Sequence, residues 1–367
     1  MADHIESEAK PMRHGFTTGA CAAAAAKAAT VMLIAQRKQE RSEIWLPAGF
    51  RHTFEMIECE FTRDMAQCAT IKDAGDDPDA THLAKIVAAV TWREEPGIEL
   101  DGGVGVGRAT KPGLPVAVGE AAINPVPRRM IAAAVQEALD EHGVDQGVRV
   151  VISVPDGEEI AKKTLNSRLG IVGGISILGT RGVVVPFSTA AYKASVIQAL
   201  QVAKASGVKH VALTTGGSSE KYAMKLYEFL PEEAFIQMGD FVGFSLQHAK
   251  RLGMERVSLV GMMGKFSKVA QGVMMVHSKS APVDFQFLAD VAREAGGSEE
   301  LCEAVLGANT ASQAGDLALE AGVNAFFEIL CRWASTHAVQ HVGGGLAVET
   351  VLVTMKGDVL GRAEVIG

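Results

Sequence analysis

Residues 210–265 read HVALTTGGSSEKYAMKLYEFLPEEAFIQMGDFVGFSLQHAKRLGMERVSLVGMMGK, and the reading of this stretch decides the fold of its half of the chain. Three short apolar runs stand out: HVALTT at 210–215, AFIQM at 234–238 and RVSLVG at 256–261. Segments of helical composition follow them, over 219–230, 241–252 and 266–276, and a further helix is predicted over 192–206. Strands alternating with helices at this spacing form a parallel, Rossmann-like sheet, because each parallel neighbour needs a long crossover. In open parallel sheets ligands bind outside the carboxyl ends of the strands. One edge is therefore expected to collect Thr214-Thr215-Gly216-Gly217, Gly239-Asp240 and the turn from Gly261 to Lys265. Asp240 follows Gly216 by 24 residues, where an acidic side chain accepts hydrogen bonds from ribose hydroxyls. The edge suits a nucleoside-containing cofactor, either NAD or S-adenosylmethionine. Its candidate contacts are Thr215, Gly216, Gly217, Asp240, Gly261 and Gly264. Each glycine equally suits a tight turn, and Asp240 a helix cap.

Downstream, residues 284–340 continue as helices, and AVETVLVTMKGDVLGRAEV (347–365) closes the chain as a hairpin around Lys356-Gly357-Asp358. Upstream of about residue 190 the pattern is α+β. After a loose tail over 1–14, GFTTGAC (15–21) runs into AAAAAKAATVMLIA, a strong helix former with Thr17 and Thr18 at its capping end. Alternation in EIWLPAG and TFEMIECEFT predicts β-structure over 42–71, and KIVAAVTWRE (85–94) predicts another strand. A helix is expected over 128–142, a strand over 148–154 and a second helix over EIAKKTLNSRLG (159–170). Strands and glycine turns are expected over 170–188. The class is α/β in two domains: an α+β domain over 1–190, which the hairpin 345–367 could complete, and a Rossmann-like domain over 191–344.

The stretch DGGVGVGRATKPGLP (101–115) holds five glycines, two prolines and two basic residues. Asn124-Pro125-Val126-Pro127-Arg128-Arg129 adds a second proline-basic cluster. Stiff loops carrying cations are suited to carboxylates or phosphates. Arg108, Lys111, Arg128 and Arg129 are the candidate anion contacts, and the hydroxyls of Thr17 and Thr18, further candidate substrate contacts, sit beside free backbone N–H groups at the start of their helix. GGVGVG does not complete the dinucleotide fingerprint, because Arg108 stands where the last glycine belongs. Lys162, Lys163 and Arg168 fall on a predicted helix, where a solvent-facing role suffices. Asp156, Glu158 and Glu159 either cap that helix or supply a base. His277, after an apolar helix, is the best-placed histidine for proton transfer, though a core role suits it equally. His337 and His341 stand four apart with no third ligand in reach, so no metal site is proposed.

The formal net charge of −8, with only three Tyr and three Trp, argues against nucleic-acid binding. Five scattered cysteines without a CxxC pair suggest reduced thiols rather than a zinc or disulfide framework. The start, MADHIESEAK, is polar and acidic, unlike a signal peptide, and the apolar runs are broken short of a membrane span. A cytoplasmic protein without membrane partners is expected, and a homo-oligomer is left open.

Several of these motifs are recognisable in order. GFTTGACAAAAAKAA (15–29), DGGVGVGRATKPGLP (101–115), AINPVPR (122–128) and SVPDGEEIAKKTLNSRLGIVGGISILGT (153–180) closely resemble the CbiD family. GDFVG (239–243) and GKFSKVAQG (264–272) with His277-Ser278 extend the likeness over nearly the whole chain. The resemblance implies transfer of a methyl group from S-adenosylmethionine to C-1 of (cobalt-)precorrin-5B, giving (cobalt-)precorrin-6A in cobalamin biosynthesis. A corrinoid is then the small-molecule partner, gripped by the first domain, and the Rossmann-like domain holds the cofactor. A ring proton would fall to Asp101 or Glu158. Two departures from the family pattern are Met262, near which relatives carry a histidine, and Arg181, where a small or hydroxyl residue is common. Two other classes stay open beside what the resemblance implies: an NAD(P)-dependent reductase using the same strand-end edge, and a non-catalytic tetrapyrrole carrier.

Overall fold

A computed structural model describes residues 11–277 and 280–367, which divide into two compact units, one up to Ser188 and the other from Thr189 on. The first unit is organised around α1 (Thr18–Ala35), begun by the Thr17 hydroxyl, which accepts from the Ala20 N–H at 3.2 Å. A helix that is apolar on every side must be buried. Ala20 to Ala26 are fully inaccessible to solvent. This helix is long and apolar enough to cross a membrane by length and composition, contrary to the expectation that no run reaches that far, yet it is the core helix of the unit. Its alanines let α2 (Pro125–Glu141) and the sheet pack closely against it. The one charge in the run, Lys27, is neutralised by Glu137 at 3.0 Å and donates to the Glu43 carbonyl at 3.2 Å.

A hairpin of β1 (Arg41–Leu46) and β2 (Phe50–Glu55) precedes β3 (Ile57–Phe61), β4 (Met65–Ile71), β5 (Lys85–Arg93), β6 (Ile98–Gly102) and β7 (Gly147–Ser153). The last five form a sheet in the order β3-β4-β5-β7-β6, antiparallel except for the β7–β6 pair. Ile44 and Leu46 face the core, so the alternation read in EIWL holds and Trp45 points outward. Of the tail expected over 1–14, residues 1–10 lie outside the described ones. Arg13 is tied down, its N–H donating to Asp76 and its guanidinium to Asp73. The helix predicted over 159–170 is a correction: α3 runs only Gly157–Ala161. Beyond it, the Thr164 hydroxyl donates to the Ala161 carbonyl and the Asn166 amide to the Gly174 carbonyl, bonds that compete with a helix. Lys162, Lys163 and Arg168 therefore sit in turns.

The second unit contains α4 (Thr189–Ala205), β8 (His210–Thr214), α5 (Gly217–Leu226), β9 (Phe235–Gln237), α6 (Val242–Arg251), β10 (Arg256–Gly261) and α7 (Met263–Ala270). Then come α8 (Phe285–Glu294), α9 (Glu299–Leu306), α10 (Ala311–Glu320), α11 (Ala325–Val342), β11 (Ala347–Val353) and β12 (Val359–Ile366). The sheet order is β9-β8-β10-β11-β12, all parallel but for β12. Counted within the unit this is 2-1-3-4-5, a doubly wound order. The terminal hairpin therefore completes the second unit rather than the first. Its strand β11 pairs in parallel with β10 and is buried on both faces, so it cannot be lent elsewhere. Val211 and Leu213 face the large core under α4 and α6 to α11, whereas Ala212 faces the smaller one under α5.

One buried carboxylate ties the amino-terminal half of this sheet together. Glu349 on β11 accepts from the Tyr227 hydroxyl at 2.6 Å, Ser258 at 2.9 Å and Arg362 Nε at 3.0 Å, and pairs with Arg256 at 3.4 Å. Burial alone would raise its pKa. The Tyr227 donor, with Arg362 and Ser258, outweighs that and holds it at about 2. A carboxyl group depressed in the fold stabilises it above the unfolded value near ~4.3, and that contribution fades as pH falls toward 2. In urea unfolding, the wild type should lose about 2 kcal/mol more between pH 5 and pH 3 than Glu349→Gln. Equal losses would mean that Glu349 is not tied into this network.

Candidate cofactor edge and anion groove

In the second unit the chain leaves β8 into α5 on one face and reaches β10 from α6 on the other. The crevice of a 2-1-3-4-5 sheet opens between those two strands, at their carboxyl ends. There the Ser219 hydroxyl accepts from the Thr215 N–H at 3.2 Å and donates to the Gly216 carbonyl at 2.9 Å, which fixes the turn. Among the described residues, a Cβ added at Gly216 or Gly264 would meet nothing within 4 Å, and at Gly217 only the Gln237 amide at 4.0 Å. These three glycines face open space. Gly261 does not: a Cβ there would lie 2.0 Å from the Phe266 ring, so this glycine serves packing.

Asp240, at the end of β9, carries the acidic group of the edge. Its Oδ1 is sealed from solvent and has no hydrogen-bond donor among the described residues, although Lys265 Nζ lies 3.0 Å away as an ion pair, off the line a hydrogen bond needs. Lys265 also donates to the Thr215 carbonyl, at a long 3.5 Å. The loop after α7 returns to this edge, with the Val276 N–H donating to the Asp240 carbonyl at 3.1 Å. His277 follows, exposed, and its carbonyl accepts from Lys268. Ser278 lies outside the described residues. A cavity of about 430 Å³ opens at the ends of β10 and β11, bounded by Met262, Met263, Asp316, Val353 and Lys356. An open glycine cradle, an orphaned buried carboxylate oxygen and an adjacent cation fit a nucleoside with a charged tail. The two histidines at helical spacing have separate partners: His337 Nδ1 meets the Ala270 carbonyl at 2.9 Å, and His341 meets Gln247 at 3.1 Å.

The first unit uses its sequence candidates differently. Glycines 102–107 do not leave room for a ligand. Gly105, at φ +71°, would place a Cβ 1.8 Å from the Val154 carbonyl oxygen, and at Gly107 the clash is with Ile171 at 2.4 Å. Short pairings of Gly105–Val106 with Gly174–Ile175 and of Arg108–Ala109 with Ile171–Val172 zip the loop to the chain. Arg108 grips Asp101 with both oxygens at 3.0 and 3.1 Å and also reaches the Gly119 and Gly102 carbonyls. Burial works to raise the Asp101 pKa, but the Gly102 N–H and Arg108 prevail and hold it below the usual carboxylate range. Arg128 is bonded to Glu120 and to the Ile123 and Ala121 carbonyls, and Lys111 to the Arg168 carbonyl.

Thr17 and Thr18, expected as helix caps and ligand contacts, are turned into the unit. Both are buried, and the Thr18 hydroxyl accepts from the Leu178 N–H at 2.9 Å, so they frame α1. Glu158 is exposed in the first turn of α3. Arg129 lines an open groove of about 330 Å³ along α2, with Trp45, Pro47, Val126, Met130 and Thr180. Trp45 is 57% exposed, and the sequence carries its signal: an indole on the outward phase of a strand whose neighbours Ile44 and Leu46 point in. A flat apolar face beside a guanidinium suits a planar, carboxylated ligand. Lys265 shows in the sequence only as the end of a turn.

Two family models match the chain: CbiD over residues 5–186, and the CbiD C-terminal domain over residues 275–364. A protein of Geobacillus sp. (strain WCH70), named cobalt-precorrin-5B C(1)-methyltransferase, is 63% identical over 354 residues, 96% of this chain and 97% of its own. Relatives of the same name from Priestia megaterium and Thermus thermophilus are 62% and 50% identical, covering 98% and 91% of this chain and 98% and 89% of theirs. Among solved structures, the 1.9 Å crystal structure of a cobalamin biosynthesis protein (cbiD) from Archaeoglobus fulgidus is 28% identical, covers 85% of each chain and gives a TM-score of 0.39.

The two kinds of glycine make opposite expectations. Gly264→Leu should leave the melting temperature within a few degrees of wild type while weakening S-adenosylhomocysteine binding more than tenfold by calorimetry. Gly105→Ala should lower stability by at least about 2 kcal/mol, because a Cβ is strained at positive φ and collides with backbone. Interchanged outcomes would mean that the open and packed glycines have been misread.

Proposed function

The chain belongs to the CbiD family, and from that membership we infer how its two units serve one reaction. It is a C-methyltransferase of cobalamin biosynthesis that methylates C-1 of (cobalt-)precorrin-5B. The observation that carries this reading is 62–64% identity, over almost the full length of both chains, to relatives of that name. S-adenosylmethionine is the methyl donor, held by the second unit along Gly216, Gly217, Gly264 and Asp240. The open space beside those glycines and the undonated Asp240 oxygen support that placement. The corrinoid is held by the first unit, with Arg129 on a carboxylate arm and Trp45 against the ring. Arg129 supports it: among the described residues it has none of the internal pairing that occupies Arg108 and Arg128, while Glu137, the acid lining the same groove, is taken up by Lys27 and Arg51. Five unbridged, buried thiols support a reducing, cytoplasmic setting.

Bound at that edge, the donor supplies a methyl group on a sulfonium that is already activated for transfer. The protein's task is then to align carbon and methyl, and positioning can contribute about 7–11 kcal/mol. The glycine cradle lets backbone approach closely, and Asp240 is placed to accept hydroxyl donors. Asp101, gripped by Arg108, is a weak base at neutral pH and holds the loop. Glu158 and His277 keep solvent access and are the groups left to relay a ring proton.

Purified protein given methyl-labelled S-adenosylmethionine and the cobalt-bound or metal-free corrinoid should place the label on C-1, read by NMR. No label with both reactants present would refute the activity. Arg129→Ala and Trp45→Ala should each raise the corrinoid KM roughly tenfold, about the worth of one charged hydrogen bond, with S-adenosylhomocysteine affinity unchanged. A loss confined to the cofactor would transfer the groove to the other ligand.

A further inference from the structure

Lys265 lies across the crevice of the second unit. It is the third residue of α7, past the end of β10, yet its ammonium reaches Thr215 at the end of β8 and Asp240 at the end of β9. Adjacent strands lie about 4.8 Å apart, so this side chain spans two strand spacings at the switch point. Its contacts there are poor for a cation with three donors. One is a hydrogen bond of 3.5 Å, and the other is an ion pair whose carboxylate oxygen receives no hydrogen bond. Lys265 is 39% exposed and Asp240 23%, so both side chains keep a way to solvent although Asp240 Oδ1 itself is sealed. A pair satisfied this weakly can be parted by a ligand that offers better partners to both ends.

We propose that Lys265 and Asp240 form a latch that a zwitterionic adenosyl amino acid opens: Lys265 transfers to the ligand's α-carboxylate, and Asp240 is released to the ribose hydroxyls. The inference rests on the placement of S-adenosylmethionine along this edge and adds the part of the ligand that is recognised. Charge gives the direction. A cation in the crevice repels the donor's sulfonium and ammonium, so it lowers affinity for any cationic adenosyl ligand that lacks an anion and gives a neutral one nothing. It is offset only when a carboxylate takes the place of Asp240 as its partner. Lys265 thereby selects S-adenosylmethionine and S-adenosylhomocysteine over adenosyl compounds without the carboxylate. Arg would preserve the charge, and Met would keep the length of the side chain without it.

Calorimetry on the full chain separates the possibilities with two probes, S-adenosylhomocysteine and 5′-methylthioadenosine, which lacks the amino-acid end. The wild type should bind S-adenosylhomocysteine at least tenfold more tightly. Lys265→Met should weaken S-adenosylhomocysteine roughly tenfold or more and leave 5′-methylthioadenosine unchanged or tighter, while Lys265→Arg retains most of the preference. An unaltered ratio in Lys265→Met, with a wild-type melting temperature, overturns the latch and leaves the nucleoside placement standing. If wild type binds neither probe, the placement of the cofactor on this edge falls, and the latch with it.

Discussion

Four strands of the second unit run in the same direction, and that constraint places everything its edge can do. Parallel strands must all finish on one side of the sheet, so the turns after β8, β9 and β10 are gathered there whatever their side chains. The order 2-1-3-4-5 then adds one specific gap, between β8 and β10, where crossovers depart to opposite faces. A helix covering that gap would leave no crevice. Glu349 secures the arrangement from the other end. By joining β10, β11 and β12 and the segment after α5 through a single carboxylate, it lets the carboxyl-end turns be built for binding rather than for cohesion.

Glycine appears at both candidate sites and does opposite work in them. In the loop 102–109 the missing side chains let two stretches of backbone touch, and any Cβ would part them. Along the candidate edge the missing side chains of Gly216, Gly217 and Gly264 leave space that no described residue fills. Both patterns look alike in one dimension, because a glycine's purpose is set by what comes near it in space. Element type and order in the second unit are legible for the converse reason: a helix–strand alternation with glycine after each strand is a local pattern, and crossover rules convert it into a sheet. The terminal hairpin is legible as a hairpin, but not as the edge of this sheet, since nothing in its alternation names the neighbour of β11.

Charge follows the same division. The basic residues of the loop and of the start of α2 have the look of a clamp in sequence, whereas in the fold Arg108 and Arg128 hold Asp101 and Glu120. A chain with 43 acidic residues against 35 basic ones gives each cation an acid within reach on average, so partnering is the default. What singles out Arg129 and Lys265 is geometry. Arg129 borders an open groove beside an outward indole, and Lys265 is stretched to an acid it meets at a poor angle. Sequence counts the charges, and only the fold shows which of them are already spent.

Two strongly perturbed side chains of the second unit stand away from its crevice. His210 is held at about 4 by burial and the nearby Arg256, and the Tyr227 hydroxyl is pushed up by burial and by Glu349. Shifted groups of this kind commonly mark active centres, and a histidine 2.8 Å from a serine that is itself 2.9 Å from a carboxylate resembles a catalytic relay. Two facts argue against that reading. Ser258 is fully buried between neighbouring strands, with no room for a reacting atom, and it donates to Glu349 instead of being deprotonated by His210. The cluster also sits in the amino-terminal half of the strands, whereas the crevice opens at their carboxyl ends. The perturbed groups report the cohesion of the sheet, and a transfer that depends chiefly on alignment has no need of them.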